Sequence, residues 1–286
     1  MNIEGKLVVA SISGGKDSAA LSLWLTEQGI EHRRVHMLTG WDHPVTGEYL
    51  RGELTRVLGP IEEIRGDLLM PDLVRKKGMF PSRTRRFCTE ELKIKPMIRY
   101  IERIVDAGHD VVSAVGIRAA ESEARSKMPE WEWNKDFDCW VWRPLIGWTE
   151  QQVIDIHTHH GLRPNPLYLD GAERVGCWPC IFARKSEIRM LADIDPARVD
   201  ELRALEGEIT AVARDRAVAK GEELKHDRTW FQGQEAGCTM PIDEAVAWSR
   251  TSRGGKQVEL FAPPREGCMR WGLCETVAPA APEDES

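Results

Sequence analysis

The feature that most restricts this 286-residue chain is the run from Leu7 to Gly29, which reads as strand, tight loop and helix in immediate succession. Leu7-Val8-Val9-Ala10-Ser11-Ile12 is apolar and partly β-branched, the pattern of a short buried strand. Ala19 to Leu25 has helical apolar spacing, and Gly29 closes that helix. Between them stands Ser13-Gly14-Gly15-Lys16-Asp17-Ser18. Two glycines let the backbone approach an anion closely, and the new helix aims its free N–H groups and positive dipole end at the same point. Lys16 adds a mobile positive charge. The chain therefore opens with a site for a phosphate-bearing ligand. It is not a Walker loop, which needs four residues between its first glycine and its Gly-Lys-Ser/Thr ending.

At this length the chain holds one large α/β domain, or a main domain with a smaller appendage. No transmembrane segment is expected, and the N-terminal apolar run is too short for a signal peptide. Seven cysteines without a secretory signal point to the cytoplasm, and to metal or catalytic roles ahead of disulfides. The net charge of −7 argues against a nucleic-acid coat protein, but it hides a local reversal. Between Arg75 and Arg103, basic residues are opposed only by Glu90, Glu91 and Glu102, leaving a net +7. The charge crowds into Arg83-Thr84-Arg85-Arg86, beside Pro81 and ahead of a helix, which fits a loop facing an anion. A solvated helix face is the plainer alternative.

Along the chain, His32–Leu38 reads as a second strand, residues 47–58 as a helix, and residues 61–64 as a further strand. A long amphipathic helix spans residues 89–107, stopped by Gly108, and residues 110–117 form another buried strand. Strands alternating with helices imply a doubly wound parallel α/β sheet with ligands at its carboxyl edge. The division expected is a nucleotide-binding α/β domain over 1–175, a helical cysteine-containing extension over 176–275, and a disordered tail over 276–286.

The loop resembles the PP-loop, Ser-Gly-Gly-x-Asp-Ser, of the ATP pyrophosphatases. Further blocks follow in order. Arg86-Phe87-Cys88-Thr89 with Leu92, Lys93 and Pro96 is similar to a stretch of the PAPS reductase-like branch. So are Gly116-Ile117-Arg118-Ala119-Ala120-Glu121-Ser122 with Arg125, then Arg143-Pro144-Leu145 with Trp148, and Gly161-Leu162 with Asn165-Pro166-Leu167-Tyr168. The resemblance covers roughly residues 6–182. It implies an adenine nucleotide alpha hydrolase-like fold and cleavage of ATP between its α and β phosphates. ATP sulfurylase's catalytic subunit and the enzymes of DNA phosphorothioation and tRNA thiolation are similar proteins.

Breaking an α,β bond needs charge neutralisation on the departing pyrophosphate. Ser13, Gly14, Gly15, Lys16 and Ser18 can hold it through amides, hydroxyls and the lysine. Asp17 either binds Mg²⁺ or caps the helix that follows. Arg118, Arg125, Lys93 and the Arg83, Arg85, Arg86 group are candidates for the remaining anionic charge, with Arg118 alternatively pairing to Glu121 or Glu123.

Cys177-Trp178-Pro179-Cys180 is a Cys-x-x-Cys knuckle, and Cys268 and Cys274 come later. Four thiolates suit a [4Fe–4S] cluster or tetrahedral zinc, the cluster being favoured because the second pair is widely spaced. A redox Cys-x-x-Cys is the rival. In the related plant-type sulfonucleotide reductases a Cys-Cys pair and a later Cys-x-x-Cys hold a cluster. This chain departs from that pattern with Cys88 alone, so the expected ligands are Cys177, Cys180, Cys268 and Cys274, with Cys88 the alternative third ligand and one C-terminal cysteine then the fourth. His157, His159 and His160 close a helix before Gly161, where they meet its dipole. The tryptophans of residues 131–148 read as core and subunit packing, with base stacking the alternative, and Cys139 and Cys238 as ordinary buried thiols.

The leading expectation is an ATP pyrophosphatase that adenylylates an anionic acceptor, such as sulfate, DNA or tRNA, in sulfur transfer. The cofactors would be ATP, Mg²⁺ and a metal centre, with a homo-oligomer possible and no membrane partner. A reductase of PAPS or adenylyl sulfate is the alternative. Those reductases usually lack the loop lysine and carry a C-terminal Glu-Cys-Gly-x-His nucleophile. Here Lys16 is present and the tail reads Gly272-Leu273-Cys274-Glu275. A non-catalytic nucleotide-binding partner protein is the third reading.

Overall fold

In the computed structural model, residues 3–233, 239–252 and Trp271 are described. Cys238, Cys268 and Cys274 lie outside the described residues, as does the tail expected over 276–286. The first strand β1 (Leu7–Ser11) feeds the loop and then α1 (Lys16–Glu27). Next come β2 (His32–Leu38), α2 (Pro44–Tyr49), a π-helical turn at Leu50–Leu54, and α3 (Thr55–Leu58). The strand β3 (Glu62–Arg65) precedes α4 (Met70–Lys77).

The long helix expected over 89–107 is continuous in outline but is wound in three parts. These are α5 (Phe87–Thr89), a π-helical turn at Glu90–Ile94, and α6 (Lys95–Asp106). Pro96 has no N–H to give back to the preceding turn, so regular α-winding cannot run through it. Then follow β4 (Val111–Ala114), the short α7 (Glu123–Ser126), and a hairpin of β5 (Trp131–Asn134) and β6 (Cys139–Trp142). The helices α8 (Glu150–His159), α9 (Pro166–Leu169), α10 (Lys185–Ile194), α11 (Pro196–Val218) and α12 (Ile242–Ser249) complete the chain, with a two-stranded pair β7 (Phe231–Gln232) and β8 (Thr239–Met240) before α12.

The main sheet has the order β3-β2-β1-β4-β6-β5. It is parallel except at β5, which runs antiparallel to β6. The expected parallel sheet is thus correct for five strands. The edge hairpin is where the tryptophans sit: Trp131 stacks on Trp142 at 5.0 Å, and Trp133 meets Trp140 edge-on at 5.5 Å. Cross-strand aromatic pairing of this kind stabilises the hairpin, and Trp24 of α1 packs edge-on against Trp142 at 5.5 Å.

Alternation along β1 divides the core. Val8 and Ala10 face α1 and α8, with Leu21, Leu25, Val153 and Ile156, while Val9 faces α6, with Met97, Tyr100 and Ile101. Burial on both faces explains why the strand reads as a continuous apolar run. A third core joins Trp41, Leu73, Val74, Phe80 and Leu92 to Leu191 and Leu202 of α10 and α11 and to Trp178 and Trp230 from the adjoining loops. The helical region therefore shares a core with segments that precede β4. No helix among the described residues is long and apolar enough to cross a membrane.

Candidate active site

Strand order reverses at β1, which lies between β2 and β4. The connections leaving β1 and β4 therefore splay apart at their carboxyl ends, and the crevice between them is the ligand position of open α/β sheets. The loop after β1 is Ser13–Ser18, and the loop after β4 carries Gly116, Arg118 and Glu121.

Two glycines make that geometry possible. Gly14 has φ +78°, and a Cβ there would lie 2.7 Å from the Thr46 methyl. Gly116 has no room either, since its Cβ would lie 2.5 Å from the carbonyl oxygen of Asp17. The loop is further tied by hydroxyls. The Ser13 N–H donates to Ser18 Oγ at 3.1 Å, and Ser18 Oγ donates to the Gly15 carbonyl at 2.9 Å. From the far end of the chain, Asn165 Nδ2 donates to the Gly14 carbonyl at 3.2 Å and Tyr168 Oη accepts from the Lys16 N–H at 3.0 Å. The Tyr168 ring also lies under the Lys16 ammonium at 5.1 Å. Burial raises the Tyr168 phenol well above its ordinary value, so the hydroxyl stays neutral as acceptor and donor.

The charged groups converge here. Lys16 is buried, with its Nζ 3.5 Å from Asp17, 3.4 Å from Glu150 and 3.4 Å from the Glu173 carbonyl. Arg118, also buried, donates from Nε to Asp17. Its N–H donates to Glu121 at 2.8 Å. Of the two readings of Asp17, capping is not what is seen: the residue before the helix is Gly15 and no side chain caps it. The alternative pairing of the Arg118 side chain with Glu121 or Glu123 gives way to Asp17, because only the reversal point of the sheet brings residues 17 and 118 together.

A cavity of about 360 Å³ opens over the loop, with Ser13, Gly15, Asp17 and Ser18 on one wall and Arg86, Lys93 and Arg125 on others. Cys177 and Cys180 line it too. Their knuckle is pinned by an antiparallel bridge between Asp42 and Cys177, and by Trp41 Nε1 donating to the Pro179 carbonyl at 3.2 Å. Burial pushes the Cys177 thiol up to about 11, with Lys93 pulling the other way. Lys93 is held charged, first by Cys177 against its own desolvation, with Asp42, Cys180 and Cys88 adding. Cys88 is raised by burial. Three of the four described thiols, Cys88, Cys177 and Cys180, thus interact with one ammonium at the cavity edge.

Arg83 and Arg85 are exposed and do not line the loop cavity, whereas Arg86 does, with its guanidinium 5.2 Å from the Phe182 ring. His157 is buried with Nδ1 on the Val153 carbonyl at 2.7 Å, while His159 and His160 turn to Glu27. Cys139 is buried as expected.

A family model described as Phosphoadenosine phosphosulfate reductase domain matches residues 7–183, more than half of the chain. The chain belongs to that family. The matched span runs from β1 through the Cys-x-x-Cys knuckle, so it contains every wall of the loop cavity except Glu187. An uncharacterized 37.8 kDa protein of Escherichia phage 186 is 29% identical over 95% of this chain and 98% of its own length. An adenosine 5'-phosphosulfate reductase of Allochromatium vinosum is 31% identical, over only 35% of this chain and 36% of that protein. Among solved structures, a phosphoadenylyl-sulfate reductase from Candida auris aligns with TM-score 0.48 and 16% identity, covering 60% of this chain and 82% of that one.

Motif reading named the Gly161–Tyr168 block but assigned it no task; its task is to hold the loop. Glu150, Thr46 and Arg174 also reach the site without having been expected there. The signal of Glu150 and Thr46 is tertiary, since each lies far in sequence from the loop it touches.

Proposed function

We propose that this PAPS reductase-family chain is an ATP pyrophosphatase: a nucleophilic oxygen or nitrogen of an acceptor attacks the α-phosphorus, the α,β bond breaks, and pyrophosphate leaves. AMP is then displaced from the adenylylated acceptor by a sulfur nucleophile. The observation that carries this reading is the buried Lys16 beside the loop amides, a cation placed for a leaving pyrophosphate. In a water-poor site such a charge is worth far more than in solvent. Arg118, released from Asp17, would neutralise the remaining phosphate charge. Asp17 would then join the shell of the Mg²⁺ that accompanies ATP, an ion that takes one or two carboxylates with phosphate oxygens.

The thiols fit a metal centre as follows. Sulfurs bound to one zinc stand about 3.8 Å apart, by tetrahedral geometry at the usual Zn–S length. Cys177 and Cys180 line the loop cavity, and thiolates there with Cys88 would suit a cluster or one zinc ion. Lys93 would offset the charge of the thiolates. Trp271 packs against Tyr168 at 5.8 Å, while Cys268 and Cys274, the C-terminal candidates for a fourth ligand, lie outside the described residues. A cluster there would supply electrostatic and structural support beside the loop.

The same thiols favour one second reading, reduction of a sulfonucleotide. Product analysis separates the two. With ATP, Mg²⁺ and candidate acceptors, the pyrophosphatase yields AMP and pyrophosphate, and Lys16→Ala lowers turnover roughly 10²-fold. Sulfite from PAPS or adenylyl sulfate, with no pyrophosphate from ATP, would replace that reading with the reductase.

A further inference from the structure

Beyond the Arg83–Arg86 turn, the ends of α4 and α11 and the segment 219–230 enclose two joined hollows. One, of about 470 Å³, has Lys77, Arg216, Lys220, Lys225 and Arg228 on its walls. The other, of about 450 Å³, has Arg85 and Thr84 on its walls and shares Met79, His226 and Arg228 with the first. Sharing those three residues, the two hollows form one furrow, and its Arg85 is the sequence neighbour of Arg86, which lines the loop cavity.

The furrow's cations are largely uncompensated. Arg85, Arg216, Lys220, Lys225 and Arg228 have no carboxylate partner among the described residues. Arg216 is fixed instead by donating to the carbonyls of Lys76 and Lys77 at 3.2 and 3.0 Å, which sets its position and leaves its charge. Arg228 Nε is buried without a hydrogen-bond partner. On the walls only Glu222, Glu223 and Asp227 oppose them, and Asp227 is 3.5 Å from Arg214. In a chain of net charge −7, such segregation repels itself unless an anion offsets it.

We infer that this furrow binds a single nucleic-acid strand and leads it to the loop cavity. Guanidinium forks match phosphate oxygens bidentately, and the charge is spread over two hollows, too far for one small anion. Protein partners need buried aromatic or aliphatic anchors. Here Phe80, the one hydrocarbon aromatic of the walls, is already buried in the third core. Arg216, Lys220, Lys225 and Arg228 all lie beyond residue 183, outside the span the family model matches. That the strand is the adenylyl acceptor rests on the function proposed above; that it binds does not.

The test is anisotropy of a labelled mixed-sequence DNA or RNA strand of about 20 nucleotides, longer than a typical single-strand site. Binding is measured without ATP, between 50 and 200 mM salt. With Lys220→Glu/Lys225→Glu, affinity should fall at least tenfold, and the slope of log K against log salt should shrink by about 1.4, the expectation for two lost phosphate contacts. Pyrophosphate release without acceptor should be unchanged in that variant. Equal affinity and slope in variant and wild type would overturn the inference, as would poly-glutamate competing as well as an unlabelled strand, which assigns the furrow to an acidic protein. Strand binding in a wild-type protein that forms no AMP would sink the adenylylation reading and leave the furrow standing.

Discussion

Gly116→Ala is the sharpest probe of how the sheet reversal builds the site. A Cβ at this position would stand 2.5 Å from the Asp17 carbonyl oxygen, 2.8 Å from its carbon and 3.0 Å from the Ser18 Cα. All three are backbone atoms, so no side chain can rotate away. Ordinary contact begins near 3.4 Å, and the loop and the end of β4 must therefore part by about 0.9 Å. Overpacking of this kind costs about 1–3 kcal/mol. The displaced turn carries Asp17 and Ser18, so Asp17 moves off Arg118 as well. A shift near 1 Å in a catalytic constellation lowers turnover by about 10²-fold. Urea unfolding reads the first effect and AMP formation from ATP the second. Gly207→Ala is the control: it lies inside α11 with open space around its Cβ, and should gain about 0.5–1 kcal/mol with turnover unchanged. A Gly116→Ala protein with wild-type midpoint and turnover would refute the close approach of the two loops.

Tyr168→Phe removes the acceptor of the buried Lys16 N–H and should cost about 1–3 kcal/mol, the range for an unpaired buried donor, read as a lower urea midpoint. His157 is lowered to about 4, chiefly by burial, so protonation is resisted in the folded state. Its stabilisation is complete above the ordinary histidine value and is lost as pH falls from 6.5 towards 4, by roughly 3 kcal/mol. His157→Leu should flatten that part of the stability–pH curve; an unchanged slope would assign it elsewhere. Burial raises Glu206, which accepts from the Trp230 and Ile242 N–H groups at 2.8 and 3.0 Å. Its effect has the opposite sign, with stability falling as pH rises from the ordinary glutamate value through the raised one, and Glu206→Gln should remove that fall. Anaerobically purified protein should contain about four irons per chain, and Cys177→Ser should lose them; full iron content in the variant would remove Cys177 from the ligand set.

The sequence by itself was enough for the parts of this protein whose physics is local. The loop Ser13–Ser18 is legible because strand, glycines and helix opening are contiguous, and an anion-binding turn needs nothing from elsewhere. The buried strands β1 and β4 are legible because burial on both faces requires an unbroken apolar run. The Cys177–Cys180 knuckle is legible because three residues of spacing decide whether two thiols can share a site. What tertiary structure decided is which distant groups meet. Asp17 pairs with Arg118 because the strand order reverses beside β1, a fact that a sequence separation of 101 does not encode locally. Tyr168 and Asn165 hold the loop across more than 150 residues, and the antiparallel turn of β5 pairs Trp131 with Trp142 and Trp133 with Trp140 across the hairpin. The basic furrow joins the end of α4 to a segment after α11 by way of the third core. Side-chain packing over long sequence separations, invisible to any window of residues, assembled the site from motifs that were each readable alone.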